Sequence, residues 1–544
     1  MKKLIAFLLC LTLVGTLFAG CGPADSTGGD SGNKDAGDIT ITIGLLEDVN
    51  VQDYETNEFT LWLEEQTGYN LEFYYYAASA NDAKSQVSTM VAIGEDLPDI
   101  VWNVPLGSGV IQEFGEDEYI IDLSPYFEDK EKSKVFWDRM AELPEDYQDT
   151  IMRTITDKKT GAIYSFPHAE YTVIDTMAYQ VYINQEWLDA LSLEMPTDTE
   201  SLYNVLKAFL TQDPNGNGQV DEIPLIGAGL SGNVINWLVN MFTYVDSRTW
   251  NVDENGKLYL PQITDEFREA LKYINKLVAE GLMPDSVFSM SWTDVKGLLN
   301  QADGVEKIGI FVGHPTLVAE MGNEAIYAYE ALPYWGNAVM NDNQLYNKTY
   351  ISTGCENPDA AWEVLMTMCS KEASYRMRYG NKGTDWVDAD EGATSYLGLP
   401  AEIKVINEAQ ATSQGNESWK EISATIMNNA ENEASQLDED TNEWTKKKLQ
   451  IMADCYEYFQ EGMKNNPAVT CPKLIYSLEE SEMTINERSN CSNYLNQMRS
   501  NFCIGINDPS DDAQWNEYVK EVETLGLAAW RDQAQQIYDA QIAE

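Results

Sequence analysis

Positive charge is scarce in this chain: 35 Lys and Arg stand against 89 Asp and Glu, a formal charge of −54. Such a field repels nucleic acid and gives no pull toward anionic lipid, and a polyanionic ligand would need a local basic pocket of its own. Histidine is rarer still. Only His168 and His314 occur in 544 residues, and both read as hydrogen-bonded loop or strand-end residues rather than catalysts. No CxxC spacing occurs, nor a GxSxG elbow, an HExxH or a GxxxxGK[ST] loop, and the string GLSGN at Gly229 has the wrong spacing. Beyond the first twenty residues no apolar run is long enough to cross a bilayer as a helix. A carboxylate pair for glycoside hydrolysis is the one catalytic device that so many acids leave open, and nothing else favours it.

What is present begins with MKKLIAFLLCLTLVGTLFAG: two lysines, an apolar stretch and a small-residue end, the pattern of a secretory signal peptide over residues 1–20. The junction LFAGC resembles the lipobox of bacterial lipoproteins. That resemblance implies cleavage before Cys21 and acylation of its thiol, as by palmitate, leaving the protein lipid-anchored at the outer, extracytoplasmic face of the cell membrane. Residues 21–37, rich in Gly, Ser and Asp, read as a flexible tether. Six further cysteines remain, Cys355, Cys369, Cys455, Cys471, Cys491 and Cys503; outside the cytosol they either pair or stand as buried thiols, and spacing does not decide between the two.

The length calls for two or three domains. DITITIGLLE alternates like a strand, NEFTLWLEEQTG has helical spacing and stops at Gly68, and NLEFYYYAA is a second strand. A helix from Asn81 to Gly94 and a short strand DIVWN follow. Strand, helix, strand, helix, strand makes a βαβαβ unit with parallel pairing. Farther on, QVYIN, EKIGIFVGHP and AIYAYEALPYWG read as strands, the stretch from Asn357 to Gly380 as one helix, and the chain from about 400 onward as mainly helical around Trp444, Leu449, Met452 and Tyr456. For Trp187, Trp362 and Trp444, inside amphipathic helices, core packing is expected.

The segments TGYNLEF, VAIGEDLPDIVW, GAIYSFP, INQEWLDALSLEMPTDTESLYNVLKAF, DPNGNGQVDEIPL, STGCENPDAAWEVLMTMCSKEASYRMRYG and FCIGINDPSDDAQWNEYVKEVETLGL occur in this order. With the lipobox, they resemble the extracellular solute-binding lipoproteins of ABC importers, in the large carbohydrate-binding, family 1 type. The resemblance implies a two-lobe α/β fold of the periplasmic-binding-protein type II class, with hinge crossings at GAIYSFP and around ALPYWG and a mainly helical C-terminal part. Lobe 1 is expected over 38–167 plus about 351–400, and lobe 2 over 168–350 plus about 401–544. A monomer that takes an oligosaccharide between its lobes and passes it to permease subunits is the function implied; a peptide-binding lipoprotein is the second reading and a secreted glycosidase the third.

Two sites are expected. In DPNGNGQVDE, oxygen-bearing side chains stand at Asp213, Asn215, Asn217 and Asp221, a glycine at the sixth place and Gln219, able to offer its carbonyl, at the seventh. This is most of an EF-hand loop. Pro224 replaces the usual twelfth-position glutamate; Glu222 can supply that carboxylate, and the resembling family carries a structural Ca²⁺ with this arrangement. For the sugar, flat aromatic faces and planar hydrogen-bonding groups at strand ends are sought. The candidates are Trp102 and Asn103, Phe166 and His168, Trp237 beside Asn233, His314, Tyr334 and Trp335, and Asp385 with Trp386. None of the stretches DIVWN, SFPHAEY, FVGHP and LPYWG carries Lys or Arg, and only the Trp386 loop has a lysine nearby, Lys382, so a neutral oligosaccharide is the expected ligand.

Overall fold

The computed structural model describes residues 39–543 except 78, 173, 175, 230–232, 301–305, 316–323, 343, 408–413, 421–425, 429–434, 438–440 and 477. The signal peptide, Cys21 and the tether lie outside the described residues. Among those described, no helix is long and apolar enough to cross a membrane.

The alternating segment after residue 38 forms the strand Thr40–Leu46, and Ile41 and Ile43 are fully buried. The helix Glu58–Thr67 follows. The Asn57 side chain accepts from the Phe59 amide at its start, and Gly68, at φ 75°, ends it in the left-handed conformation that glycine adopts without strain. The strand Asn70–Tyr76 pairs in parallel with the first, as does Ile100–Val101 on its other side. The intervening helix Ala80–Ile93 starts from Ser79, whose hydroxyl accepts from the Asp82 amide, rather than from Asn81.

The first sheet has six strands, in the order Ile426–Met427, Phe166–Glu170, Gln344–Ile351, Ile100–Val101, Thr40–Leu46, Asn70–Tyr76. Its core gathers Phe59, Phe136, Phe166, Trp362 and Trp419. The second sheet has four, Tyr329–Ala331, Val181–Asn184, Ile308–Val312 and Ile223–Gly227, and a separate core around Tyr182, Phe209, Leu271 and Phe311 that also takes in Phe502 and Trp515 from the C-terminal helices. These are the two lobes of the α/β fold.

The lobe boundaries differ from those expected. Gln344–Ile351 is a strand of the first sheet, and so is Ile426–Met427; Trp419 is buried in the first core. The cause is pairing: Tyr346 stands opposite His168 and Ile426 opposite Ala169, so segments far apart in sequence complete one hydrogen-bonded edge. The first crossing therefore begins after Glu170, beyond GAIYSFP. Three other readings shift. Residues 324–328 form a 3₁₀ turn and only Tyr329–Ala331 is a strand. The long helix from Asn357 is broken in two, Pro358–Met368 and Lys371–Tyr379, because the Ser370 hydroxyl accepts from the Ala373 amide and starts a new helix. The described residues from 401 to 442 form short strands and turns, and helix resumes only at Glu443.

All six cysteines are buried free thiols. Trp187 and Trp362 are packed in the cores, and Trp444 is half-buried against the second.

Trp419 tests the integration of the chain past residue 400 with the first lobe. It is fully buried, its ring centroid lies 5.2 Å from Phe59 and 5.6 Å from Tyr54, and its indole N–H donates to the Thr60 hydroxyl at 2.9 Å. Trp419→Ala is expected to cost about 3–5 kcal/mol in urea unfolding; a loss below about 1 kcal/mol would show that this segment is not part of that core.

Candidate functional site

The chain passes between the lobes after Glu170, before Gln344 and again after Met427, and the first two crossings pair with each other. The Ala178 amide donates to the Val339 carbonyl at 2.9 Å, the Asn341 amide to the Thr176 carbonyl at 2.7 Å, and Met177 bridges Met340 in antiparallel sense. The Tyr179 hydroxyl donates to the Asn337 carbonyl and the Tyr334 hydroxyl to the Tyr179 carbonyl. Helix Glu443–Met463 lies against this ribbon through Met452 and Phe459, which pack on Ile174, Met177 and Ala338. Just past its end, Asn466 both donates to and accepts from the Ala338 backbone.

A cavity of about 290 Å³ opens against the ribbon, walled by Ala178, Tyr179, Val339 and Asn341 from the crossings and by Asn233, Asn236, Asp246 and Trp292 from the second lobe. Trp292 is 39 % exposed. It is the first residue of helix Trp292–Leu299, held there by a reciprocal cap between Ser291 and Asp294. The Asn233 amide donates to the Ala178 carbonyl at 2.9 Å, while its side-chain oxygen is buried with no hydrogen-bond partner. The Asp246 carboxyl is raised from its ordinary pKa by burial, and the Arg248 guanidinium offsets part of that rise. Arg248 also reaches Asp342 of the second crossing at 3.1 Å. The lining thus combines side-chain amides, the aromatic residues Tyr179 and Trp292, and Asp246, whose charge Arg248 partly offsets.

A larger cavity of about 700 Å³ lies between the first lobe and the segment 475–480. Lys158 closes one side by donating to the Ile475 carbonyl at 2.9 Å. Among its lining residues Arg153, Lys158 and Lys159 face six carboxylates, including Glu116, Glu479 and Glu480, so it is no basic pocket.

The loop Asp213–Glu222 turns through positive φ at Asp213, Gly216 and Gly218. The Asp213 carboxylate accepts from the amides of Asn217 and Gly218, and the side-chain oxygens of Asn215 and Asn217 accept from the amides of Asn217 and Gln219. Asp221 accepts from the side-chain amides of Asn217 at 3.0 Å and Asn215 at 3.2 Å, which hold its carboxyl below the usual range. Glu222 is 6 % exposed; one carboxylate oxygen accepts from the Asp221 amide and the other is buried without a partner. Burial, then the charges of Asp213 and Asp221, push its pKa up. Among the described residues no cluster of three or more His, Cys, Asp or Glu side chains is drawn together; the donor set here is mixed, with amide and carbonyl oxygens beside the acids. A buried carboxylate oxygen lacking any proton donor, beside two more acids, fits a hard cation.

No family model matches the chain. It is 24 % identical over 502 residues to the fructooligosaccharide ABC transporter substrate-binding protein FusA of Streptococcus pneumoniae, covering 88 % of this chain and 86 % of that one. Lipoprotein LipO of Bacillus subtilis is 28 % identical over 297 residues, 53 % of this chain and 54 % of that one. Solved structures with the same fold include FusA in complex with kestose, at TM-score 0.71, 20 % identity and coverage of 93 % and 99 %. A solute-binding protein from Bifidobacterium longum infantis, described as binding HMO and associated with an ABC transporter, matches at TM-score 0.72, 20 % identity and coverage of 92 % and 98 %. An EF-hand mutant of FusA with fructo-nystose matches at TM-score 0.67, 20 % identity and coverage of 93 % and 99 %.

Along most of its length the chain is similar to an ABC-transporter substrate-binding protein. It has that protein's two-lobe fold.

Against that fold, most of the expected sugar contacts are corrected to packing residues. Trp102 is fully buried, 4.7 Å from the His168 ring and 6.4 Å from Trp419. Phe166 is fully buried, stacked on Phe127. His168 is buried with Nε2 2.9 Å from the Thr349 hydroxyl, and burial, then the Lys348 charge, drives its pKa down to about 3, so it stays neutral. Trp237 is buried in the second core. Asp385 is buried, accepting from the Asn381 amide and the Asn407 side chain, and the Trp386 indole donates to the Gly380 carbonyl; both fix a local turn. The physical reason is common: large aromatics at strand ends fold back over the sheet face, where burying their area is worth most. Tyr334 braces the crossings, stacked at 5.6 Å on Tyr179. Trp335 lies half-buried against Trp237, its indole N–H without a partner. Asn103, at φ 57°, and His314, lowered to about 4 by desolvation, stay half-buried at strand ends. Trp292 was legible only as part of the capping string SWTD, which marks a helix start and says nothing of exposure.

Proposed function

We propose that this protein is the capture component of an ABC importer, holding a neutral oligosaccharide between its lobes and passing it to membrane permease subunits. The observation that carries the reading is the cavity at the crossings, which is lined by the exposed Trp292 together with Asn233, Asn236 and Asn341. An aromatic plane with planar hydrogen-bonding groups matches the C–H face and hydroxyl ring of a pyranose or furanose. The oligosaccharides named for FusA and the Bifidobacterium protein support the same ligand class. Lobe closure then reports occupancy through contacts made only in the closed form. No catalytic step belongs to this reading.

The neutral character of the ligand rests on charge. Asp246, the one acid lining the cavity, is paired with Arg248, which also reaches Asp342, and the larger cavity has more carboxylates than cations. A uronate would enter against the field of a −54 chain. Two further elements complete the proposal. Asp213, Asn215, Asn217, Gln219, Asp221 and Glu222 hold a structural Ca²⁺, which supplies the charge that the orphaned Glu222 oxygen calls for. Cys21, lipid-modified, keeps the monomer at the outer face of the cell membrane, a reading supported by the lipoprotein name of the Bacillus relative.

Four measurements test these points. Thermal-shift screening against a panel of neutral glycans, uronate oligomers and peptides is expected to give selective stabilisation by a neutral oligosaccharide. In calorimetry with that sugar, Trp292→Ala is expected to cost about 1–3 kcal/mol with little dependence on salt; unchanged affinity, or a peptide or uronate as the best ligand, would overturn the reading. Adding Ca²⁺ to chelator-treated protein is expected to raise the melting temperature, and Asp213→Ala to abolish the rise; no rise in the wild type sinks the cation site. On cell fractionation, Cys21→Ala is expected in the soluble extracellular fraction, and its retention with the membrane would count against the anchor.

A further inference from the structure

The carboxylate at the end of the loop Asp213–Glu222 is already shared with a fixed cation. The Lys307 ammonium stands 3.4 Å from Asp221 Oδ2, while Asp221 Oδ1 accepts from Asn217 and Asn215. Lys307 cannot move far from this position. Its carbonyl accepts from the Ile223 amide at 2.7 Å, where the chain leaves the loop, and the neighbouring Glu306 carbonyl accepts from Asn215 at 3.3 Å. It directly precedes the strand Ile308–Val312, which pairs in parallel with Ile223–Gly227. The side chain itself is 22 % exposed, so its head group sits at the loop's edge with the strand register fixing its stem.

From this geometry we infer that Lys307 is a built-in counter-cation that competes with the loop's Ca²⁺ for Asp221 and sets the site's affinity. The inference rests on the calcium reading above and deepens it. A divalent ion coordinated by Asp213, Asp221 and Glu222 places its charge close to a resident ammonium that shares one of those carboxylates. The two cations repel, and Asp221 cannot give both of its oxygens fully to the metal while one faces Lys307. In return, the ammonium offsets part of the repulsion among the three acids when the loop is not charged by metal. The affinity for Ca²⁺ is lowered and the loop's dependence on it is softened. Because the same residue leads into Ile308–Val312, a central strand of the second sheet, the loop is joined directly to the core of the second lobe.

The test is calcium titration of full-length, chelator-treated protein by calorimetry, with melting curves at zero and saturating Ca²⁺. Lys307→Met, which keeps the stem and removes the charge, is expected to bind Ca²⁺ about fivefold more tightly, the factor that a unit charge a few ångströms away contributes in a solvated site. Its melting temperature is expected to fall without Ca²⁺ and to rise further on addition than that of the wild type. Lys307→Arg is expected to behave as wild type, and Lys307→Gln, the variant that stands in if the methionine form folds poorly, as Lys307→Met. Equal or weaker Ca²⁺ affinity in the neutral variants, with wild-type binding intact, overturns the inference and leaves the cation site standing. Absence of calcium binding in the wild type overturns both.

Discussion

Everything that the two lobes can do together depends on the antiparallel ribbon formed where the chain crosses between them. Two backbone hydrogen bonds, from Ala178 to Val339 and from Asn341 to Thr176, tie the outgoing and returning segments into one strip. The strip is too narrow to be stable alone. Its stability comes from a third element, helix Glu443–Met463, whose apolar side closes over Ile174, Met177 and Ala338 while Asn466 clamps the Ala338 backbone from both sides. The long helix contributes to the fold chiefly here. It packs the pair of linkers into one unit.

The same strip sets the chemistry of the site. It places Tyr179 and Asn341 on one side of a cavity whose other side is built from the second lobe, and Asp342 pairs with Arg248 across it. The Arg248 guanidinium offsets part of the charge of Asp246, the one acidic residue that lines the cavity. The first lobe, by contrast, spends its aromatics on itself. Trp102, Trp419, Phe59 and Phe73 meet edge to face within one packed cluster, so the richness in tryptophan and tyrosine owes more to core packing than to ligand contact.

Periodicity and punctuation carried the local structure. The first βαβαβ unit, with its capped helix at Asn57 and its glycine stops at Gly68 and Gly94, was legible because caps and alternation are properties of a few consecutive residues. The loop from Asp213 was legible as a turn for the same reason: its polar residues and glycines stand within ten residues, and Gly216 and Gly218 take the positive φ that such a turn requires. The break at Ser370 was missed because a strong apolar pattern ran across it, and a single hydroxyl cap outweighed that pattern. Trp292 was missed because nothing in its neighbours records that no other element covers it.

By itself the sequence determined the class of the fold, the order of its first elements, the position of the Asp- and Gly-rich turn that starts at Asp213 and the sign of the field around the molecule, since each is written in local spacing or in composition. Only the tertiary structure decided which aromatics are buried, which segments complete the first sheet and where the crossings lie. Those outcomes depend on pairings such as Ile426 with Ala169 and Tyr350 with Val101, between residues about 250 positions apart. A side chain's exposure is fixed by what such distant segments cover, and no window of neighbouring residues contains that information.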